Sequence, residues 1–90
     1  MSDIINVQHN AQQHCFEALV EGYRAHLDYH IQEGIIDLHH TFVPDELRGK
    51  GVAQVLTQAA LSYADQQQLQ IRPSCSYVAA YMQRKGLQHE

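Results

Sequence analysis

Between positions 14 and 43 polar and apolar residues alternate at almost every step. In the stretch 14–20, Phe16, Ala18 and Val20 share one face. In 25–32, Leu27, Tyr29 and Ile31 stand against His26, Asp28 and His30. In 35–43, Ile36, Leu38, His40 and Phe42 fall on one side. A period of two marks a half-buried strand, so three strands are expected here. Glu21 to Arg24 reads as one connection, and Glu33-Gly34 as a two-residue hairpin turn. Setting Gln32 opposite Ile35 brings Ile31 to Ile36 and Tyr29 to Leu38 on the apolar face. The same register brings His30 to Asp37 and Asp28 to His39 on the polar face. Upstream, Ile4 to Val7 reads as a short edge strand, followed by a polar turn over Gln8 to Gln13.

At Pro44 the period changes. Val52, Val55, Leu56, Ala59, Ala60, Tyr63 and Ala64 recur at steps of three and four, which predicts a helix from about Gly49 to Gln67. The run Gln66-Gln67-Gln68 sits at its solvated end. Leu69 to Arg72 is a short strand stopped by Pro73. Ser74 or Ser76 is placed to cap a last helix running to about Arg84, with Tyr77, Val78, Tyr81 and Met82 apolar and Lys85-Gly86 as its stop. The order is ββββαβα over one domain, residues 1–90. That is an α+β fold with a mixed, mostly antiparallel five-stranded sheet. Its last two strands flank a helix, so they should lie parallel with a right-handed crossover.

Composition narrows the function. A chain with 44% hydrophobic and 18% charged residues is globular. A net charge of −4 argues against a general nucleic-acid binder. No apolar run approaches the roughly 18 residues of a membrane span, and the N-terminal segment has no signal-peptide core. Cys15 and Cys75 are too far apart in sequence for a CxxC site and too few for a disulfide framework; a cytoplasmic protein with reduced thiols is expected. Cys15 lies opposite Phe16 and reads as structural. His26, His30 and His39 share the polar face with Asp28 and Asp37. A metal site is one reading, but cross-strand His–Asp pairing explains the same residues and is preferred, so no metal is expected. His40 is expected on the apolar face beside Phe42, partly buried.

The stretch Val43-Pro44-Asp45-Glu46-Leu47-Arg48-Gly49-Lys50-Gly51-Val52-Ala53 carries the chemistry. Two glycines around one residue, between a strand and a long helix, allow a ligand close to the backbone. The N–H groups of the first helical turn point at that ligand. Arg48 and Lys50 lie at the positive end of the helix dipole, where a cation is disfavoured by roughly 0.3–1 kcal/mol unless a polyanion binds. The alternative is a plain loop with solvated basic side chains. The loop is not G-x-x-x-x-G-K-[ST], because Val52 follows Gly51, and not G-x-G-x-x-G, because Gln54 takes the third glycine position.

Val43-Pro44 with Arg48-Gly49-Lys50-Gly51-Val52-Ala53 resembles the acyl-CoA loop of the GNAT superfamily of N-acetyltransferases. That loop is written [QR]-x-x-G-x-[GA] and lies between the family's fourth strand and third helix. Gly49 and Gly51 match; Glu46 departs from the first position and implies a weaker phosphate grip. The order ββββαβα is the GNAT order without the two helices between the first and second strands. Together with Ile71-Arg72-Pro73-Ser74-Cys75-Ser76-Tyr77, it resembles a small single-domain subgroup.

The resemblance implies acetyl-CoA as cosubstrate and transfer of its acetyl group to an amine. It places the pyrophosphate on the amides of Arg48, Gly49, Lys50, Gly51, Val52 and Ala53. The pantetheine would lie along the backbone near Phe42 and Val43, and Ser74 is a further expected cofactor-binding residue. Cys75, just past a strand at a helix start, is either a nucleophile, a thiol that lines the site, or an inert packed residue. Tyr77 and Tyr81 are candidate general acids, or core residues. Without the two helices the acceptor side is open, which suits a protein or peptide amine. The alternatives are a CoA-binding or protein-interaction module without turnover, and a His-based metal-binding protein.

Overall fold

The structure, a computed structural model, describes residues 5–86. Its elements are β1 (Val7–Asn10), β2 (Cys15–Val20), β3 (Tyr23–Gln32), β4 (Ile35–Phe42), α1 (Val52–Gln66), β5 (Gln70–Arg72) and α2 (Ser76–Arg84). The five strands form one sheet in the order β1-β2-β3-β4-β5. The first four pair antiparallel and β5 lies parallel to β4. This is the expected α+β architecture.

β1 begins three residues later than expected. Gln8, His9 and Asn10 belong to the strand, and the turn shrinks to one 3₁₀ turn over Ala11–Gln13. His9 explains the shift. It pairs with Phe16, its ring stacks on the Phe16 ring at 4.3 Å, and it meets Tyr63 edge-on at 4.4 Å. In the pattern it counts as polar; in the sheet it acts as an aromatic. Ile4 lies outside the described residues. The connection before β3 is likewise only Glu21-Gly22, since Tyr23 and Arg24 extend the strand.

The β3–β4 register holds from Gln32↔Ile35 to Tyr29↔Leu38 and then slips. Asp28 pairs with His40, not His39, so His39 is an extra residue in β4. Such a bulge reverses the face of everything beyond it. Ile36 and Leu38 point into the core, fully buried. Thr41, opposite Leu27, takes the next core-side position. His40 and Phe42 therefore stand on the other face, both exposed. The single apolar face expected for Ile36, Leu38, His40 and Phe42 is corrected accordingly. His30 does face Asp37, whereas Asp28 bonds with His26 along its own strand at 2.9 Å.

α1 starts at Val52, after the glycines, rather than at Gly49. Its buried positions Val52, Leu56, Ala60 and Ala64 recur every four residues. They pack on Phe16, Ala18, Ala25, Leu27, Tyr29, Ile36 and Leu38 of the sheet, with Val78 and Met82 of α2 completing the core. Thr57 is also fully buried; its hydroxyl donates to the Ala53 carbonyl at 2.8 Å. Neither serine caps α2: Ser76 is its first residue and Cys75 the N-cap, with no side-chain capping bond. Cys15 is buried on the opposite face from Phe16, where Arg24 reaches its sulfur at 3.7 Å.

Two stability outcomes follow. Leu56→Ala should cost about 2–5 kcal/mol, read as a lower urea midpoint with an unchanged m-value. His9 also shares a hydrogen bond with the Tyr29 hydroxyl, and burial pushes its pKa below the ordinary 6.5. The unfolded chain then takes up a proton at His9 more readily than the folded chain. Stability contributed by neutral His9 is present above pH 6.5 and is lost as pH falls through the lower folded pKa. Urea midpoints at pH 7.5 and 5.5 should show this fall, and His9→Gln should reduce it; an equal fall in the variant would clear His9 of the effect.

Candidate active site

After β4 the chain turns at Pro44 into a 3₁₀ turn, Asp45–Leu47. Leu47 is driven into the core, 1% exposed, and anchors the loop from beneath. The Arg48 amide donates to Asp45 O at 3.1 Å and the Lys50 amide to Leu47 O at 3.3 Å. Gly49 and Gly51 follow with φ of +77° and +76°. That left-handed backbone costs an L-residue roughly 1–2 kcal/mol, which is why glycine suits both positions. Gly51 caps α1 with no side chain to offer. Among the described residues the amides of Gly49, Gly51, Val52, Ala53 and Gln54 donate to no protein acceptor. This refines the expected run from Arg48 to Ala53: the amides of Arg48 and Lys50 are occupied, and Gln54 adds a free one.

The cations at this helix start are offset. Arg48 Nε lies 3.2 Å from Asp45 Oδ1, and Lys50 Nζ lies 3.3 Å from Glu21 Oε2. Exposed pairs of this kind contribute about 0–1 kcal/mol and exchange partners readily. The repulsion expected at the helix start is therefore offset, and two paired cations stand beside five free amides. Glu46 is exposed within the turn.

The bulge lies where β4 and β5 part. The strands pair only from Ile35↔Gln70 to Asp37↔Arg72. One further backbone bond crosses, Cys75 N–H to Leu38 O at 2.8 Å. Beyond it, among the described residues, no backbone hydrogen bond joins β4 to the segment leading into α2, although β4 stays paired to β3 as far as Phe42. One edge of β4 from His39 onward is thus free. Thr41 Oγ1 and Cys75 Sγ face each other across the gap at 3.3 Å. Thr41 was invisible in the sequence, because only the bulge puts it there.

The remaining expected residues divide. Phe42 projects from the open face, 46% exposed, so only its backbone borders the gap; Val43 packs on the core. Ser74 is exposed between β5 and α2, and its amide bonds Arg72 O at 3.0 Å. Tyr77 is half-buried. The Tyr81 ring is buried, 4% exposed, with the Arg84 and Lys85 charges 5.7 Å from its centroid. His40 is exposed on the face away from the core, not partly buried on the apolar face as expected. No three His, Cys, Asp or Glu side chains gather as a metal-binding group among the described residues, and no helix among them is long and apolar enough to cross a membrane.

Residues 15–89 match the family model described as GCN5-related N-acetyl-transferase. The chain belongs to the GCN5-related N-acetyltransferase family. It is 36% identical over 86 residues to Protein NATD1 of Mus musculus, covering 92% of this chain and 78% of that protein. Identity to Protein NATD1 of Homo sapiens is 35% over 86 residues, covering 92% and 76%. For the Danio rerio protein it is 27% over 85 residues, covering 91% and 77%. As an N-acetyltransferase fold the chain is trimmed: β1 passes to β2 through Ala11–Gln13 and His14 alone.

Two substitutions separate the loop's anchor from its backbone geometry. Leu47→Ala should cost about 2–5 kcal/mol by leaving a void under the loop. Gly51→Ala should cost roughly 1–2 kcal/mol, because its Cβ would meet nothing within 4 Å and only the backbone is strained. Urea melts of both variants check the order; a larger loss at Gly51 would mean the loop is held by its turn rather than by Leu47.

Proposed function

We propose that residues 1–90 act as one acetyltransferase domain that binds acetyl-CoA and passes its acetyl group to a primary amine. The observation that carries the reading is the meeting of the unpaired β4 edge with the five free amides at the start of α1. The amides fit a pyrophosphate: backbone donors at a helix N-terminus, with Arg48 and Lys50 at hand to exchange their carboxylates for phosphate. The free edge of β4 fits an amide-bearing arm that takes the place of a strand, as extended ligands do at sheet edges. Ser74 and Cys75 form the opposite wall.

When bound, acetyl-CoA supplies an acyl group already activated as a thioester. The chain's residues do the positioning. The amides of Gly49, Gly51, Val52, Ala53 and Gln54 hold the diphosphate end. The backbone near Phe42 and Val43 orients the arm and offers donors to a carbonyl on which negative charge develops. Tyr77 and Tyr81, one turn apart on α2, are the two side chains offered to give a proton to the leaving thiolate. Cys75 lines the gap and is held by Thr41, which suits direct transfer past the thiol rather than onto it. The free thiols suit a reducing compartment such as the cytoplasm.

Calorimetry with acetyl-CoA tests the binding half. Gly49→Val and Gly51→Val, each shown to be folded, should weaken affinity at least tenfold; unchanged affinity in both would remove the loop from the site. Thiol release with a panel of amines tests the transfer half. Cys75→Ala should keep its acetyl-CoA affinity and lose part of its turnover, and intact-mass measurement should find no stable acetyl adduct on the parent protein. Binding without turnover on any amine would leave a CoA-binding module. Tight stoichiometric zinc, lost on mutating His30 and His39, would favour a metal-binding protein instead.

A further inference from the structure

Asp37 stands between Ile36 and Leu38, both fully buried in the core, so its side chain belongs to the face of the sheet away from the helices. Its Oδ1 is buried and has no hydrogen-bond partner among the described residues. A buried carboxylate oxygen without a donor is costly and calls for an explanation. His30 faces Asp37 from β3 and Arg72 faces it from β5, yet neither bonds that oxygen. With Gln32, Glu33 and Ile35 they line a hollow of about 150 Å³ that runs from Asp37 toward the β3–β4 turn. The free amides and the unpaired edge lie at the other end of β4, so the hollow is no part of the acetyl-CoA site. It offers acceptors spread over three positions: the Gln32 amide oxygen, the Glu33 carboxylate and Asp37. With His30 neutral, the two carboxylates against Arg72 leave one negative charge in excess.

Spread acceptors suit a planar fork of N–H donors better than the point charge of an ammonium. A guanidinium is also the more weakly hydrated of the two cations, and it stacks on rings such as that of His30. Ile35 offers apolar surface to a methylene stem. An aspartate carboxyl turns readily about its last bond, so either of its oxygens can meet a donor. We propose that this hollow binds an arginine side chain of a protein acceptor, as a handle separate from the amine that reacts. The path between the two runs over one face. His40 and Phe42 project there, exposed, while the helices cover the other face. From Asp37 to Phe42 the strand rises roughly 15 Å, which an extended peptide spans in about four or five residues. That spacing rests on the reading of the gap as the acetyl-CoA site; the arginine site itself does not.

Amide-resolved NMR titration of the full chain tests the arginine site without any turnover. The probe is a blocked glycine peptide with one central arginine. Its controls carry citrulline, which keeps the shape and loses the charge, or lysine. The arginine peptide should shift the amides of His30, Asp37 and Arg72. The citrulline peptide should bind at least tenfold more weakly, and the lysine peptide severalfold. Asp37→Asn should abolish the preference for arginine over citrulline. Glu33→Gln, at an exposed turn position, should reduce it severalfold and keeps the test alive if Asp37→Asn does not fold. Shifts that map elsewhere, or a citrulline peptide that binds equally well, overturn the proposal. Free argininamide binding as tightly as the peptide would overturn its protein half. Thiol release then tests the spacing, on peptides that set one lysine and one arginine at increasing separations. KM should be lowest at a separation of about four or five residues with kcat little changed, and Asp37→Asn should erase that minimum. Turnover with a KM indifferent to arginine overturns the handle and leaves the transferase reading. Arginine binding with no turnover on any peptide sinks the transferase reading alone.

Discussion

One extra residue in β4 organises this molecule. With His39 out of register, the strand spends its first half packing the core through Ile36 and Leu38 and its second half presenting His40 and Phe42 outward. The added local twist that accompanies a bulge comes at the point where the bonds to β5 cease. β5 stops at Arg72, before Pro73, so the parting of the two strands has a cause on each side of the gap. Past the unpaired His39, β4 resumes its pairing with β3 as far as Phe42, so the edge facing away from β3 is freed while the strand stays in the sheet.

The loop after β4 follows a similar division of labour. Leu47 holds it from inside, while the two positive-φ glycines keep side chains away from the helix start. The helix is left uncapped by any side chain, a state that costs roughly 0.5–2 kcal/mol relative to a good cap. Stability is forgone at a helix start where five amides stay free among the described residues. The nearby carboxylates Asp45 and Glu21 keep the basic side chains from repelling the dipole in the absence of an anion.

Much of this was legible in the chain. The four-residue recurrence of α1, the Glu33-Gly34 hairpin and the two glycines each leave a signal that no tertiary contact overrides. What escaped did so for physical reasons. A bulge changes no residue type, so the alternation through His40 and Phe42 looks unbroken, and Thr41 gives no sign of facing inward. His9 escaped because a polar label hides a ring that stacks. The free amide of Gln54 and the occupied amides of Arg48 and Lys50 depend on turn bonds that spacing does not encode.

The strand order in space repeats the strand order in sequence. Three hairpin pairings therefore close over short separations, while the parallel β4–β5 pairing must wait for the whole crossover, loop and helix, to fold back. Loop-closure entropy makes that pairing the slow, non-local event in an otherwise local topology. The gap has one wall in the early meander and the other in the late-arriving β5 and the turn into α2. Its width is thus decided at the final docking step, by three strand pairs and the Cys75–Leu38 bond. Local opening at that seam would separate the walls while the four-stranded meander stays intact.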